Sequence, residues 1–432
     1  MDDRAITRSF RRGFATLLVV DLGTKALTAA TVLVLIRGLS VALYAYVTVL
    51  FTLAQVAASA GGGGILTRYL REESEQASRG SADGSEEHLL QALLKASLII
   101  TGFGLCAIPV VAVFGIGSGF GSGIILVALA TTFAAGSNAT DLAIARYQAR
   151  RRFSKAGLLS ALRACALLVA ACIVSFAQSE LVIGAWLVGS MLVVGLASTG
   201  RVFRASSAGR HLSVRFTREE AWLSFFSFAA AGFAYIDILV ASVLLNEHQV
   251  STLGASLRYW ALVLSAMPAL GAVLRVRTAQ VDIVDSAARQ RAMVFSWIRR
   301  TFIPTTLITG AAFLLAPSVI PAVDGGKYPE SVETFQIFLV TALAAYITAP
   351  AGTILIARRR YDLLGSVYAV GLIINLIGDV LVARSFGVYG IAVVSSTVYV
   401  AIALTVTALA VRETRPTARR SPARIDGPPN SR

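Results

Sequence analysis

Six ionisable side chains stand out because they interrupt or border long apolar stretches of the chain. They are Asp21, Lys25, Arg163, Asp237, Arg258 and Asp379. A charge at the depth of a lipid bilayer costs about 2.5 kcal/mol or more, so such a residue usually faces an opposite charge or a wet cavity. These residues therefore predict a path for a charged substrate or ion, structural ion pairs, or both.

Asp21 and Lys25 are four positions apart in the first apolar stretch. That spacing puts the two opposite charges on one face of a helix. Lys25 then either presents a cation to a central cavity, tuned by the neighbouring acid, or is simply neutralised by Asp21 in a packed interface. The sequence leaves both interpretations open.

Arg163 and Arg258 lie too deep in their stretches to be helix-end residues, and we expect them to line a cavity. Asp237 and Arg258 fall in the outer thirds of neighbouring antiparallel segments, where they could pair and act as an outer gate. Asp21, Asp237 and Asp379 are the candidates for ion coupling or gating.

The elements that must hold these charges are about twelve apolar stretches, each near the 20 residues that a membrane-spanning helix needs. The chain of 432 residues is 56% hydrophobic and only 15% charged, and its mean hydropathy is +0.71. We therefore predict an all-α polytopic membrane protein. The predicted spans are 14–36, 41–63, 91–114, 122–145, 157–177, 181–200, 222–245, 251–274, 297–320, 333–356, 363–383 and 388–411.

Arginine and lysine residues fall mainly on alternate connections between the spans, which is the positive-inside bias. This bias predicts a plasma-membrane protein with both termini in the cytoplasm. The net charge of +15 reflects that topology, so nucleic-acid binding is not expected. The first stretch has no small-residue cleavage site and is predicted to be a retained helix.

Other kinds of chemistry find little support in the sequence. The three cysteines and three histidines are scattered singly, which predicts neither disulfides nor a metal site. The outer connections are too short for a catalytic domain, and no GxxxxGK[ST] phosphate loop is present. We expect a transporter, not an enzyme. Apart from coupling to H⁺ or Na⁺, no cofactor is expected.

The chain repeats at an offset of about 210 positions, as transporters built from parallel repeats do. The segment leading to Arg68 matches the one leading to Arg277, and the segment around Arg146 matches the one around Arg358. Apolar helices with basic ends also resemble one another by chance. The repeat predicts two six-helix lobes at 1–200 and 221–411, a cytoplasmic linker at 201–220 and a disordered basic tail at 412–432.

Two glycine-rich segments punctuate the first lobe. Gly61 to Gly64 are expected to end the second helix, and GIGSGFGSG closes the connection between the third and fourth. Glycine permits tight turns and close helix approach, so we favour packing over a hinge at both places.

Two segments of this sequence carry a family resemblance. The first, LIRGLSVALYAYV, contains Arg37, Leu39 and Tyr44, with Ala45 where the family usually has Gly. The second runs through the C-terminal third and contains Arg358, Asn375, Phe386, Gly387 and Gly390. Both resemble the polysaccharide repeat-unit (O-antigen) flippases of the multidrug/oligosaccharidyl-lipid/polysaccharide exporter superfamily.

The resemblance implies a V-shaped pair of lobes that alternate between inward-open and outward-open states. The substrate would be a polyprenyl-diphosphate-linked oligosaccharide, moved from the inner to the outer leaflet for polysaccharide biosynthesis. The partners would be the lipid bilayer and the polysaccharide polymerase or glycosyltransferases of that pathway. Arg163, Arg258 and Lys25 would hold the anionic diphosphate.

Three other functions are consistent with the same pattern. A drug/cation antiporter of the same superfamily would need an acidic cavity, which Asp21 and Asp237 could supply. A peptidoglycan-precursor flippase usually has about two more helices than this chain. A scaffold for a membrane biosynthetic complex would make the buried charges purely structural.

Overall fold

The computed structural model is built from α-helices. It describes residues 3–78, 85–114, 123–150, 152–177, 179–205, 215–267, 274 and 286–414. The helices are α1 (Asp3–Gly38), α2 (Val41–Ser78), α3 (Ser85–Phe114), α4 (Gly123–Ala149), α5 (Phe153–Val174), α6 (Glu180–Ala205), α7 (Arg218–Leu244), α8 (Glu247–Val263), α9 (Ser286–Asp324), α10 (Ser331–Ala357) and α11 (Tyr361–Glu413). The all-α prediction is confirmed for the described residues, which contain no strand.

Most of these helices match predicted membrane spans. Within the described residues, nine helices are long and apolar enough to cross a membrane. α11 has 53 residues and so covers the last two predicted spans. Helix α8 has 17 residues, and the rest of the predicted span at 251–274 lies largely outside the described residues. The chain is a multi-pass membrane protein.

The helices form two lobes joined through α2. α1 packs against α5, and α4 packs against α2, α3 and α6, while α7, α10 and the two parts of α11 pack together in the second lobe. Helix α2 also runs along α7 and touches α8. It makes most of the contact between the lobes, and its apolar part is largely buried.

The prediction that Gly61–Gly64 end the second helix is wrong. α2 continues through Gly61–Gly64 to Ser78. The preference for packing is confirmed, because a Cβ atom added at Gly61 would lie 2.6 Å from Ile100 Cγ1 of α3, and one at Gly62 would lie 2.5 Å from Asn138 Oδ1 of α4. Small residues at these positions let neighbouring backbones approach closely.

Local sequence explains where several helices begin or break. Thr217 and Asn246 each start a helix with a capping box, in which the side chain accepts a hydrogen bond from the backbone N–H three residues later. Gly387 interrupts α11 with φ of 56° and ψ of −141°, a conformation that glycine adopts without penalty. This break separates the two spans of α11.

The predicted lobe boundaries and tail fall partly outside the described residues. The ends of the predicted linker, 201–205 and 218–220, are helical, whereas 206–214 lie outside the described part. The tail after residue 414 and the glycine-rich 115–122 also lie outside it. The domain limits remain a prediction.

Candidate functional site

Two sets of contacts join the lobes, one at each end of the spanning helices, and they use different chemistry. We call the end where α2 finishes and α7 begins the inner end, since the basic connections place it in the cytoplasm by prediction. We call the end where α1 and α9 finish the outer end.

At the inner end, a buried glutamate joins the lobes. Glu220 of α7 is 4% exposed. Its Oε1 accepts a hydrogen bond from Lys95 Nζ of α3 at 2.8 Å, and its Oε2 lies 3.2 Å from Arg68 Nη1 of α2. Two cations of the first lobe therefore neutralise one carboxylate of the second.

A second ion pair lies beside the first. Arg71 of α2 donates from Nη1 and Nη2 to the two carboxylate oxygens of Glu219, at 2.9 and 3.2 Å. Two parallel bonds of this kind fix the geometry of both partners. Arg68 also donates to Thr217 Oγ1 at 2.5 Å. We call Arg68, Arg71, Lys95, Glu219 and Glu220 the inner clasp.

Glycine and serine bring the helices close enough for the inner clasp to form. A Cβ atom at Gly64 would lie 2.6 Å from the backbone nitrogen of Ser224, and one at Gly63 would overlap Ser227. Helix α2 therefore rests directly on the backbone of α7 next to the ion pairs. Larger side chains at these glycines would separate the lobes.

At the outer end, two cations cross between lobes to the ends of opposite helices. Arg37, in the last turn of α1, donates from Nε to Val323 O of α9 at 2.6 Å and also to Ala322 O. Lys327, just after α9, donates to Leu39 O at 3.1 Å and to Arg37 O at 2.5 Å. Each helix thus receives a cation from the other lobe at its carbonyl end, where the helix dipole favours positive charge.

Polar and aromatic contacts complete this outer clasp of Arg37 and Lys327. The rings of Tyr44 and Tyr328 lie 5.7 Å apart, and Ser251 Oγ donates to Val41 O at 2.7 Å. Burial raises the pKa of the Tyr328 hydroxyl well above its usual value, so the hydroxyl stays neutral. The outer clasp contains no ion pair among the described residues.

Arg258 lies between the two clasps and between the two lobes. Its guanidinium carbon is 5.4 Å from the centre of the Phe51 ring, so a cation of α8 faces an aromatic ring of α2. The predicted pairing with Asp237 is wrong. No carboxylate lies within ion-pair distance of Arg258 in the described part of the chain, and Asp237 has other partners.

The other predicted cations take different positions. Arg163 of α5 lies 2.5 Å from Asp141 Oδ1 of α4, and both side chains are 33% exposed. Lys25 is half-buried on α1. The side chain of Asp21 lies outside the described residues, so its pairing with Lys25 stays a prediction. Of the three predicted cations, Arg258 is the one placed against the opposite lobe.

Two predicted acids meet inside the second lobe. Asn375 Nδ2 donates to Asp237 Oδ1 at 2.6 Å and approaches Asp379 Oδ2 at 3.4 Å. The hydroxyl of Ser395 lies beside the Asp237 carboxylate. Asp237 is 3% exposed, and Asn375 and Asp379 are fully buried. We call Asp237, Asn375 and Asp379 the carboxylate cluster.

Several polar atoms in and beside the carboxylate cluster have no hydrogen-bond partner in the described part of the chain. Asn375 Oδ1, Asp379 Oδ1 and Ser395 Oγ are buried without a hydrogen-bond partner among the described residues. Two carboxylates held this close in a medium of low dielectric constant cannot both carry an uncompensated charge. A proton or a small hard cation such as Na⁺, which prefers oxygen ligands, would relieve the repulsion and use the spare oxygens.

Two further residues of the family motif, Arg358 and Gly390, make contacts that hold the second lobe together. Arg358 donates to Gln290 Oε1 at 2.9 Å and to the carbonyl of Glu413, which ties the inner ends of α9, α10 and α11 together. Gly390 packs so closely that an added Cβ would lie 2.7 Å from the Cβ of Phe386.

Sequence reasoning missed the inner clasp. It explained Arg68 and Arg71 as topology and left Lys95, Glu219 and Glu220 without a role. One signal was present: adjacent glutamates on a connection otherwise rich in arginine, with Thr217 three residues before Glu220. The partners of those glutamates lie more than 120 positions away and could not be read from spacing.

The fold is shared with solved transporters. The lipid II flippase MurJ in an inward closed conformation matches with a TM-score of 0.68 and 13% identity, over 92% of this chain and 87% of that one. A MATE transporter in complex with MaL6 matches with a TM-score of 0.64 and 12% identity, over 93% and 95%.

A third match is a MOP superfamily transporter from Pyrococcus furiosus, described as having a binding pocket of reversed polarity that suggests a different function. Its TM-score is 0.63 and its identity 12%, over 93% of this chain and 94% of that one. No protein-family model and no curated protein matches the sequence. At these identities the likeness establishes the shared two-lobe fold alone and leaves the substrate open.

Proposed function

We propose that this protein flips a polyprenyl-diphosphate-linked oligosaccharide from the inner to the outer leaflet of the plasma membrane, for polysaccharide biosynthesis. The substrate carries at least two negative charges on its diphosphate. Its sugar would occupy the space between the lobes while its prenyl chain stays in lipid. Transport would follow from opening one clasp at a time.

The observation that carries this proposal is the position of Arg258. It lies between the lobes, half-buried, against an aromatic ring and without a carboxylate partner among the described residues. By contrast, Glu219 and Glu220 at the inner end are both neutralised. The interface therefore offers an unpaired cation to an anionic ligand. Guanidinium groups suit phosphate because they donate two parallel hydrogen bonds.

The two clasps supply the two gates that alternating access requires. The inner clasp has side-chain ion pairs, and the outer clasp has cations on backbone carbonyls. Opening the outer end would release Arg37 and Lys327 from those carbonyls. Both cations would then face the path of the leaving diphosphate.

The carboxylate cluster is proposed to couple transport to H⁺ or Na⁺. Its hydrogen bonds join α7 to the first part of α11 within the second lobe, and Ser395 of the second part lies beside it. Binding or release of a cation there would change how these helices pack. An ion gradient would thereby bias the second lobe between two arrangements.

A drug/cation antiporter remains the second candidate, because the fold matches MATE transporters equally well in coverage. For that function, Asp237 and Asp379 would bind the cationic drug or the exchanged ion. Their full burial inside one lobe suits a small ion better than a drug-sized cation. This difference favours the flippase.

The test is flipping of a fluorescent polyprenyl-diphosphate oligosaccharide in proteoliposomes. We expect wild type to flip it and Arg258→Ala to lose most of the activity. The matched control is Arg384→Ala, which removes an exposed arginine at the outer end of the first α11 span. Both variants should still fold, which thermal unfolding checks, since neither arginine has an ion-pair partner among the described residues. Arg258→Ala also loses the contact with the Phe51 ring.

Two outcomes would overturn the flippase. Folded wild type that moves cationic dyes and not the lipid would establish the antiporter. Equal activity of Arg258→Ala and wild type would show that Arg258 does not bind the diphosphate, and the proposal rests on that role.

A further inference from the structure

A long apolar groove lies between α5 and α6 of the first lobe, and exposed apolar side chains border it. Its volume is about 950 Å³. We propose that this groove binds the polyprenyl chain of the lipid substrate, with the phosphate held at its inner end by Lys155 and Tyr147. The assignment rests on the proposed function, and it places the part of the substrate that does not enter the space between the lobes.

The groove exists because the facing residues of the two helices are small. Its small lining residues are Ala166 and Ala170 of α5 and Gly189, Ser190 and Ala197 of α6. The walls are larger side chains, Leu158, Leu162, Val169, Ile173, Trp186 and Val193. All six of these wall residues are exposed. Small residues usually let membrane helices pack closely, but here they leave an open channel.

The groove is longer than one leaflet. It extends along α5 from Lys155 to Ile173, and at 1.5 Å per residue that distance is about 27 Å. The hydrocarbon core is about 30 Å thick, so the acyl chains of an ordinary phospholipid occupy about half of it. A groove that crosses both leaflets fits a single chain longer than one leaflet, which describes a polyprenyl chain.

The groove walls present few free polar groups. Ser190 Oγ donates to Leu187 O at 2.7 Å, and Ser198 Oγ donates to Gly195 O at 2.7 Å. Both hydroxyls are therefore satisfied by their own helix. A hydrocarbon chain can lie against them without leaving a buried polar atom unpaired.

The inner end has the opposite character. Lys155 is exposed in the first turn of α5, and Tyr147 is half-buried near the end of α4. Neither side chain makes a hydrogen bond or ion pair to any described residue, and both line the groove. An ammonium and a phenol together offer donors to a phosphate oxygen at the membrane surface.

The experiment is photo-crosslinking with a long-chain polyprenyl monophosphate that carries a diazirine at the far end of its chain. Purified full-length protein in nanodiscs is labelled, digested and mapped by mass spectrometry. We expect the label on peptides from α5 and α6. The probe has no sugar, so the result does not depend on transport.

Gly189→Leu tests the groove itself. An added Cβ at Gly189 meets no atom within 4 Å, so the new side chain fills the groove without a backbone clash. The matched control is Gly310→Leu, at an exposed glycine of α9 that is also free of neighbours. We expect labelling to fall about tenfold in Gly189→Leu, which equals about 1.4 kcal/mol of binding, and to be unchanged in the control.

Lys155→Gln tests the head-group contact. Labelling should fall in this variant and recover in Lys155→Arg, which keeps the charge. Labelling that Gly189→Leu does not change, or that excess phosphatidylglycerol displaces as well as polyprenyl phosphate does, would overturn the assignment. If labelling behaves as expected but wild type flips no lipid-linked oligosaccharide, the groove is supported and the proposed function fails.

Discussion

Lys95 and Glu220 join the two lobes through a hydrogen bond of 2.8 Å between Nζ and Oε1, and the two side chains are 12% and 4% exposed. The link connects α3 of the first lobe to the first turn of α7 in the second. Removing one partner of an ion pair this well shielded from water is strongly destabilising, because the remaining charge stays buried without a partner. The inner end is therefore held shut by a contact that a single substitution can weaken.

Glu220→Gln should shift the protein toward an inward-open state. The change leaves Lys95 without a carboxylate and Arg68 with Glu72 alone, and losing a charged hydrogen bond costs about 1.5–3 kcal/mol. That corresponds to a tenfold or larger change in the ratio of closed to open molecules. Spin labels at Ser74→Cys and Arg218→Cys, both exposed, would report the separation of α2 and α7 by pulsed electron resonance.

This measurement needs a cysteine-free background, since Cys106, Cys165 and Cys172 are free and exposed. The control is Glu72→Gln, because Glu72 pairs with Arg68 within α2 and does not cross between the lobes. Distances in Glu220→Gln that match those of the control would show that the inner clasp does not hold the closed state.

Asp379→Asn should abolish stabilisation by the coupling ion. A ligand that binds only the folded state raises the melting temperature, and the stabilisation grows with the logarithm of the ligand concentration divided by its dissociation constant. We expect the melting temperature of wild type to rise with Na⁺ concentration, or with falling pH if the ion is H⁺. The melting temperature of Asp379→Asn should respond to neither. Asp362→Asn is the control, since Asp362 is an exposed partner of Arg360. An unchanged ion response in Asp379→Asn would refute the coupling site.

Arg163 needs a test that separates substrate binding from structural pairing with Asp141. Arg163→Gln alone should reduce flipping under either explanation, because it leaves Asp141 unpaired. The double variant Arg163→Gln with Asp141→Asn removes both charges and keeps two polar side chains that can hydrogen-bond to each other. We expect flipping to stay low in the double variant if Arg163 binds the diphosphate. Recovery to near wild-type activity would assign Arg163 a purely structural role.

Gly387→Ala should destabilise the second lobe by about 1–3 kcal/mol, the usual range for a residue forced into a disfavoured backbone conformation. The φ of Gly387 is 56°, a value that glycine adopts readily and alanine does not. An added Cβ would also lie 2.9 Å from Gln249 Nε2. Gly352→Ala, in open space within α10, should instead stabilise by about 0.5–1 kcal/mol. Thermal unfolding in detergent compares the two, and equal shifts would contradict the prediction.

Much of the fold could be predicted because the bilayer restricts it. Backbone polar groups in lipid must be satisfied within a helix, so each long apolar run becomes a span. The main error concerns the second span, which was predicted to end at Gly61–Gly64 although the helix continues to Ser78. Glycine lowers helix propensity, but close packing against α3, α4 and α7 outweighs that preference.

The acids of the second lobe were predicted as candidates, but their partners were not. Asp237 and Asp379 are 142 positions apart in the sequence, and Asn375 of α11 brings them together. Asp237 and Arg258 are much closer along the chain and take separate partners. Depth in the membrane can be counted along a helix, whereas the direction of a side chain depends on how the helix is rotated. Helices that are apolar on every side do not reveal that rotation.

The sequence by itself determined that this is a helical multi-pass membrane protein and where most of its spans lie. Hydrophobic length and the cost of charge in lipid act locally, so these properties can be read along the chain. Only the tertiary structure decided which charges meet. Arg37 reaches Val323 across 286 positions, and Glu220 reaches Lys95 across 125. Such contacts arise from the docking of whole helices, which no local spacing specifies.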